Sequence, residues 1–382
     1  MVNLNYKCAI IADPNGDAWG FAKEVYEYLK QKEKQDFLDE RDKFAHDIRE
    51  HLQKKDIEKD ILREKIDFAC SIYDSLNKSK ADMIEFHSYN TTNFPDGEYK
   101  TKVRQNVRGR DCFFIHDSNL DPPKWAWNLG LINDSLKNSS ANRIIDVLPY
   151  LKFSRQDRKD ESRVPNTSKL LADFIALRAD QVLTIDVHNP TTQGNYPSNT
   201  RFDSLDSFPT VVKYLKKHSP EDLEDITILG PDEGSMKRIK EYSNVLGGRI
   251  AVIDKYRKGD GTLAESLGIL GADNIKGRNV LIPDDIAASG TTLARAADAA
   301  KRKGAKKVIG YCTHGIFTKG IDCVADPYDL FLIGNTIKQP QSSKSDKIII
   351  IPFTELIGEA IYRTCVGESL SELFQLWKQI LY

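Results

Sequence analysis

The chain has 382 residues, with 55 basic and 56 acidic side chains. This length allows two or three domains with a sizeable core, and the balanced charge gives no general attraction to nucleic acid or to an anionic membrane. We therefore expect neither as a partner, and any phosphate site must be local. The apolar runs are too short to span a bilayer, and no signal peptide is recognisable. The six cysteines form no CxxC pair, which favours reduced thiols in a cytoplasmic protein.

The first predicted elements are a buried strand at 8–13 and a helix at 19–31. Between about 31 and 80 the chain becomes highly charged and contains no Pro or Gly. Apolar residues recur there at spacings typical of helices: Phe37, Phe44, Ile48, Leu52, Leu62, Ile66, Ala69, Tyr73 and Leu76. This pattern predicts two amphipathic helices, arranged as a hairpin with a solvated charged face. A surface for a partner is the alternative, and the mixed charge signs favour the solvated face.

Predicted strands and helices alternate after residue 80. The strands are predicted at 82–89, 111–118, 143–151, 181–188, 225–232, 249–257, 278–285, 306–314, 328–335 and 347–353. The helices are predicted at 168–180, 207–218, 236–247 and 291–303, with one more closing the chain. Strands rich in Val, Ile and Leu are typical of parallel sheets covered on both faces, so we expect an α/β protein with two doubly wound domains. We place these domains at 1–205 and 206–365, with a helix at 366–382 returning to the first.

The stretch "VLIPDDIAASGTT" (280–292) places two carboxylates where a strand ends. Open α/β sheets bind ligands beyond the carboxyl ends of their strands. The small residues that follow open a helix, and exposed N–H groups at a helix N-terminus can hold a phosphate. Asp284 and Asp285 can accept hydrogen bonds from a vicinal diol, so the stretch fits a ribose 5-phosphate unit. The residues alone equally allow that Ser289 and Thr291 only cap a helix.

The same stretch resembles the loop of phosphoribosyltransferase-type folds that binds phosphoribosyl pyrophosphate. Other segments resemble the ribose-phosphate diphosphokinase (phosphoribosyl pyrophosphate synthetase) family, in the family's order: 93–111, 154–174, 182–196, 230–238, 253–258 and 306–317. The resemblance covers roughly 82–380, and it implies that the helical segment at about 31–80 is an insertion relative to typical members. It implies two phosphoribosyltransferase-like domains and transfer of the β,γ-diphosphoryl group of ATP to the C1 hydroxyl of ribose 5-phosphate. The chain has no GxxxxGK[ST] sequence, so ATP is not held as in P-loop enzymes.

The resemblance also implies which residues bind the two substrates. The residues expected to bind ATP are Phe94, Asp96, Glu98, Arg155, Gln156 and Asp160. The residues expected to bind ribose 5-phosphate are Asp284 and Asp285 at its hydroxyls and Ala288, Ser289, Gly290, Thr291 and Thr292 at its phosphate. Ala288 departs from the family, because many members have Asp there. The loop that carries Phe94 comes from a neighbouring subunit in the family, which implies a homo-oligomer built from dimers, with a hexamer as one option.

Two further sets of residues are expected to act on the phosphates of ATP. His188 and Asp232 would contact Mg²⁺, the expected cofactor, which commonly keeps several waters and uses few protein ligands. Lys255 and Arg257 are the expected catalytic residues. They lie two positions apart on an extended segment, so both side chains point the same way, and a mobile loop could close them over the triphosphate.

Two other functions remain open. A non-catalytic regulatory homologue would typically lose its loop cations or metal-side residues, whereas this chain keeps Lys255, Arg257, His188 and Asp232. A phosphoribosyltransferase that consumes phosphoribosyl pyrophosphate would share residues 280–292. It would have no need of the segments "SRQDRKD" and "DKYRK".

Overall fold

The computed structural model describes residues 7–53, 59–77, 83–254, 268–339 and 345–373. Two seven-stranded sheets organise them, which confirms the predicted α/β class. The first sheet has the order β3-β2-β1-β4-β5-β6-β7. Its strands are β1 (Cys8–Ala12), β2 (Ile84–Asn93), β3 (Tyr99–Val103), β4 (Asp111–Ile115), β5 (Arg143–Leu148), β6 (Gln181–Ile185) and β7 (Arg201–Leu205).

The second sheet repeats this arrangement with the order β10-β9-β8-β11-β12-β13-β14. Its strands are β8 (Thr227–Gly230), β9 (Arg249–Asp254), β10 (Gly268–Leu270), β11 (Asn279–Ala287), β12 (Lys307–Gly315), β13 (Leu330–Gly334) and β14 (Ile348–Ile351). Neighbouring strands are parallel in both sheets except for one antiparallel edge strand in each, β3 and β10. The carboxyl ends of the parallel strands in each sheet therefore lie at one edge, where ligand crevices form.

The helices connect and cover the strands. They are α1 (Trp19–Gln53), α2 (Lys59–Asn77), α3 (Pro122–Asn138), α4 (Thr167–Ala176), α5 (Phe208–His218), α6 (Met236–Leu246), α7 (Thr291–Arg302), α8 (Asp322–Ala325) and α9 (Thr354–Val366). The helical hairpin predicted at 31–80 is present as α1 and α2, and the Tyr73 ring packs against Phe37 and Phe44. The helix predicted at 19–31 is not separate from it, because α1 runs on without a break to Gln53.

Several elements were missed by the sequence analysis. No strand was predicted between residues 89 and 111, but β3 pairs with β2 and makes residues 94–98 the turn of a hairpin. The strands β7 and β10 and the helices α3 and α8 were also not predicted. In α3, Trp125 is fully buried, whereas Trp127 is largely exposed. No helix in the described part of the chain has the length and apolar character needed to cross a membrane.

The two sheets share one core. A continuous apolar cluster contains Ile10 and Ile145 from the first sheet and Leu281 and Ile309 from the second. The helix α9, which follows the second sheet, packs on α1, where Glu359 accepts hydrogen bonds from Lys32 (2.5 Å) and Tyr28 (3.1 Å). The expected domain boundary at 205/206 falls between β7 and α5 and stays a prediction. Most of the helix expected at 366–382 lies outside the described residues.

Candidate active site

A cavity of about 540 Å³ lies between the carboxyl-end edges of the two sheets. It is lined from both halves of the chain. Nine of the residues expected to bind substrate or metal line it: Arg155, His188, Asp232, Asp284, Asp285, Ala288, Ser289, Gly290 and Thr292. Residues that are distant in sequence thus meet in one space, as a reaction between two bound substrates requires.

Asp284 and Asp285 lie near the end of β11, which continues for two residues beyond the predicted end. Asp285 is buried, with 6% of its surface exposed, and Asp284 is partly buried. The Asp285 Oδ2 atom lies 2.8 Å from His188 Nδ1. Arg238 contacts both acids, with Nη1 2.9 Å from Asp284 Oδ1 and Nη2 3.2 Å from Asp285 Oδ1. The carboxylate pair is therefore held by Arg238 and His188.

The two carboxyl groups differ in pKa because their contacts differ. Burial and the adjacent charge of Asp285 raise the pKa of Asp284 to about 7. Burial opposes ionisation of Asp285 too, but the hydrogen bond from His188 and the charge of Arg238 lower its pKa below the usual range. The hydrogen bond with Asp285 in turn raises the pKa of His188. At neutral pH, Asp285 is ionised and Asp284 titrates close to the solution pH.

The loop expected to bind phosphate begins at Ala288 and leads into α7. Gly290 adopts the left-handed conformation (φ +71°), and a Cβ atom there would lie 1.9 Å from Val324 Cγ2, so only glycine fits. Within the described residues, no hydrogen bond is donated by the backbone N–H of Ser289 or Gly290. The N–H of Thr292 belongs to the first turn of α7, where no intrahelical acceptor exists. These donors point to an anion site.

The opposite wall of the cavity is the segment that follows β5. Arg155 and Arg158 both line the cavity, and both side chains are exposed. Asn189 Nδ2 donates a hydrogen bond to Asp157, which ties this segment to the end of β6 beside His188. The first half of the chain therefore presents two arginines toward the carboxylates and the loop of the second half.

Some predicted site residues do not line this cavity. Gln156 and Asp160 are exposed on the same segment as Arg155. Thr291 begins α7 behind the loop, and its hydroxyl lies 3.1 Å from Ser289 Oγ. The other three are the exposed residues of the β2–β3 turn: Phe94, Asp96 and Glu98. The expected role of this turn in a neighbouring subunit stays a prediction. Lys255 and Arg257 lie outside the described residues.

Arg238 is the main site residue that sequence reasoning missed. It lies in the first turn of α6, inside the segment "GPDEGSMKR", where only Asp232 was assigned a role. The only hint in the sequence that Arg238 belongs to the site was its position, six residues after Asp232, the expected metal contact. Its partners Asp284 and Asp285 are 46 and 47 positions further along the chain, so only the fold shows the contact.

Asp186 joins the two halves of the chain beside the cavity. Its carboxylate accepts hydrogen bonds from the backbone N–H of Ser207 (2.9 Å) and from the hydroxyl of Thr313 on β12 (2.5 Å). The buried His314, also on β12, has Nε2 3.0 Å from the carbonyl oxygen of Ile185 on β6. These contacts fix the end of β6, and with it the segment that carries His188, against the second sheet.

The described residues contain no cluster of three or more His, Cys, Asp or Glu side chains that could hold a metal ion. His188 and Asp232 nevertheless both line the cavity. The hydrogen bond to Asp285 occupies Nδ1 of His188 and leaves Nε2 as the nitrogen that can face the cavity. Two side chains suit an ion that arrives with substrate phosphates and keeps most of its waters.

Comparison with known proteins agrees with the fold. A sequence model for the N-terminal domain of ribose phosphate pyrophosphokinase matches residues 40–177, and one for the phosphoribosyl transferase domain matches residues 205–345. The ribose-phosphate pyrophosphokinase of Thermosipho africanus is 37% identical over 74% of this chain and 88% of its own length. That of Bacillus caldolyticus is 33% identical over 76% of this chain and 91% of its own length.

The fold also matches a solved structure. The crystal structure of phosphoribosylpyrophosphate synthetase from Mycobacterium smegmatis superimposes with a TM-score of 0.70 and 21% identity, covering 94% of this chain and 98% of that one. Fold and site together define a protein of the phosphoribosyltransferase-type class with two such domains. The sequence relatives narrow this further, and the chain belongs to the ribose-phosphate pyrophosphokinase family.

Proposed function

We propose that this chain is a Mg²⁺-dependent ribose-phosphate diphosphokinase. It transfers the β,γ-diphosphoryl group of ATP to the C1 hydroxyl of ribose 5-phosphate and releases phosphoribosyl pyrophosphate and AMP. The observation that carries the proposal is the single cavity in which Asp284, Asp285 and the 288–292 loop face Arg155 and Arg158. One wall suits a sugar phosphate and the other suits a polyphosphate.

The sugar phosphate is bound by the second half of the chain. The carboxylates of Asp284 and Asp285 accept hydrogen bonds from the 2- and 3-hydroxyls. The 5-phosphate takes the backbone donors of the loop from Ala288 to Thr292, at the positive end of α7. Fixing both ends of the sugar sets the direction of its anomeric oxygen, which converts an encounter in solution into an aligned reaction.

The nucleotide is bound by the first half. Arg155 and Arg158 pair with phosphate oxygens, and such charge-assisted contacts strengthen as water leaves the cavity. The expected adenine contacts are Gln156 and Asp160, together with Phe94, Asp96 and Glu98 from a neighbouring subunit. This arrangement requires a homo-oligomer, which we propose as the active form. All six cysteines are free, which suits the cytoplasmic location that we propose.

Charge that develops on the transferred group has to be neutralised by fixed cations. We assign this role to Lys255 and Arg257, which follow β9 in the sequence. Bound Mg²⁺, held by His188 and Asp232, would neutralise phosphate oxygens of ATP. The chain itself needs no covalent intermediate, since holding both substrates and stabilising charge suffice for phosphoryl transfer.

The direct test is to incubate the purified chain with ATP, Mg²⁺ and ribose 5-phosphate and to measure AMP. We expect AMP and phosphoribosyl pyrophosphate in equal amounts. Lys255→Ala should lower kcat by about 100-fold or more with little change in KM, because a transition-state cation acts mainly on kcat. Lys216→Ala, on the last turn of α5, is the matched control.

Two results would contradict the proposal. Nucleotide binding without AMP release would indicate a regulatory homologue. Consumption of added phosphoribosyl pyrophosphate with a nucleobase would indicate a phosphoribosyltransferase.

A further inference from the structure

Arg238 has no role in the function proposed above, yet it contacts both members of the carboxylate pair. Its Nη1 and Nη2 atoms reach Oδ1 of Asp284 (2.9 Å) and Oδ1 of Asp285 (3.2 Å). One planar guanidinium thus bridges two adjacent residues. A lysine ammonium is a single point charge and lacks this fixed fork of donors.

Helix stability does not explain the position of Arg238. It lies in the first turn of α6, where the helix dipole disfavours a cation. Its side chain is only 30% exposed, so part of its hydration is lost as well. The two carboxylates offset both costs. The residue is therefore placed to act on Asp284 and Asp285.

The carboxylates keep room for a ligand while Arg238 is bound. Asp284 Oδ1 accepts hydrogen bonds from Arg238 and from the backbone N–H of Asp285 (2.9 Å), and Asp285 Oδ2 contacts His188. Each carboxylate has about four acceptor positions. Asp284 Oδ2 and further lone pairs of Asp285 therefore remain for two hydroxyl groups. Arg238 can stay in place when a sugar binds.

A second consequence follows from the charges. Two adjacent carboxylates repel each other, and without a bridging cation they would separate. Separation removes an acceptor from the spacing that a vicinal diol needs. The ribose 2- and 3-hydroxyls are close neighbours, so recognition of both depends on that spacing.

We propose that Arg238 is a positioning residue that bridges Asp284 and Asp285 and thereby makes the site selective for ribose 5-phosphate over 2-deoxyribose 5-phosphate. The inference rests on the proposed binding of the sugar at this pair. It adds a specificity role for a residue that contacts the carboxylates and not the reacting atoms. The phosphate loop at 288–292 is independent of it.

The test is a calorimetric titration of the full chain with ribose 5-phosphate, 2-deoxyribose 5-phosphate and inorganic phosphate. The same sugars are then compared by kcat/KM for AMP release. We expect the unaltered protein to favour the ribose by about 10- to 100-fold, as for a hydroxyl bonded to a charged group. Arg238→Met should bind ribose 5-phosphate about 10-fold more weakly and reduce this preference to about threefold or less, with phosphate affinity unchanged.

Two further variants distinguish the positioning effect of Arg238 from the effect of its charge and from a general effect of substitution in α6. Arg238→Lys keeps the charge but cannot bridge, so it should recover part of the affinity and little of the preference. Lys240→Met, on the exposed face of α6, should change neither. Thermal melting shows whether each variant is folded.

The possible failures are distinguishable. A folded Arg238→Met that keeps the full preference for ribose would overturn the role of Arg238 and leave the proposed function intact. Equal loss of both sugars and of inorganic phosphate would also overturn it, because it would indicate general damage to the site. An unaltered protein that neither binds ribose 5-phosphate nor releases AMP would contradict the proposed function itself.

Discussion

The two sheets carry equivalent crevices with different chemistry. The second sheet forms its crevice at the ends of β8 and β11, and the first forms a cavity of the same size, about 540 Å³, at the ends of β1 and β4. Each contains a buried aspartate next to the central strand, Asp285 in one and Asp117 in the other. The two sheets have the same strand order, so each reverses its order at the same point, between β1 and β4 in the first sheet and between β8 and β11 in the second. Ligand crevices form at such switch points.

The side chains decide what each crevice can bind. Asp117 accepts hydrogen bonds from the backbone N–H groups of Asp17 (2.7 Å) and Asn119 (2.8 Å), so its oxygens serve the chain itself. The following helix α3 begins with two prolines after Asp121, which removes N–H donors and adds a negative charge where a phosphate would bind. In the second crevice, the backbone N–H groups of Ser289 and Gly290 donate no hydrogen bond to any residue that the structure describes. The repeated fold thus gives both sheets a crevice at the same position, and the local side chains decide which ligand each crevice can bind.

The largest difference between the two crevices should appear in kcat/KM when each of the two buried aspartates is replaced by Asn. Asp285→Asn should lower kcat/KM for ribose 5-phosphate by about 100-fold, since a charge-assisted hydrogen bond contributes about 1.5–3 kcal/mol and Arg238 loses a partner. Asp117→Asn should change kcat/KM less than about threefold, while thermal unfolding reports the loss of its backbone contacts. Similar kinetic losses in both variants would mean that the crevices are not functionally different.

The next largest difference should appear in KM and unfolding stability when a glycine of each crevice, Gly290 or Gly16, is replaced by Ala. Gly290→Ala introduces a Cβ against Val324 at a left-handed position and displaces the phosphate loop. We expect unfolding stability to fall by about 1–3 kcal/mol and KM for ribose 5-phosphate to rise about 10-fold. Gly16→Ala places a Cβ 3.0 Å from Asp117 Oδ2, a contact that a small shift relieves. Urea unfolding and steady-state kinetics test both, and a raised KM in Gly16→Ala alone would reverse the assignment.

A smaller difference concerns a carboxylate of the first sheet that forms no ion pair with any of the described residues. Asp146 on β5 is fully buried, and Asn133 Nδ2 donates to it at 2.8 Å. Burial raises the pKa of Asp146 from 3.8 to about 8. Its proton is therefore kept on folding, so the stability that this group contributes is present below about pH 4 and is lost as the pH rises toward 8.

Replacing Asp146 should expose this pH dependence. The free energy of unfolding of Asp146→Asn, relative to that of the unaltered protein, should rise by about 1–3 kcal/mol when the pH is raised from 5.5 to 8.5. The reason is that the variant does not carry the cost of ionising a buried acid. Denaturant unfolding at both pH values measures the difference. A constant difference between the two proteins at all pH values would show that Asp146 does not titrate in this range.

The parts of the site that depend on local sequence patterns could be predicted from the sequence. Asp284 and Asp285 lie near the end of one strand and the 288–292 loop follows it, so one short stretch brought them together, and the resemblance to a known family assigned their roles. Arg238 could not be assigned, because its contacts come from residues about 46 positions away that only the packing of α6 on β11 brings close.

The fold shows a similar division. Long apolar runs such as β1 and β11 were predicted within a few residues, because periodicity and composition agree there. The strand β3 was missed, since its sequence "YKTKV" is polar and half-exposed and its pairing with β2 defines it. The break expected near residue 31 is absent from α1, because a change in composition without Pro or Gly does not end a helix.

The most direct test of the central claim is a crystal structure with ribose 5-phosphate, Mg²⁺ and a non-hydrolysable ATP analogue. The account predicts the sugar hydroxyls on Asp284 and Asp285, its phosphate on the 288–292 loop, and the β-phosphorus in line with the anomeric oxygen beside Arg155. A sugar bound in the crevice of Asp117, or a nucleotide too far from the anomeric oxygen to react, would contradict it.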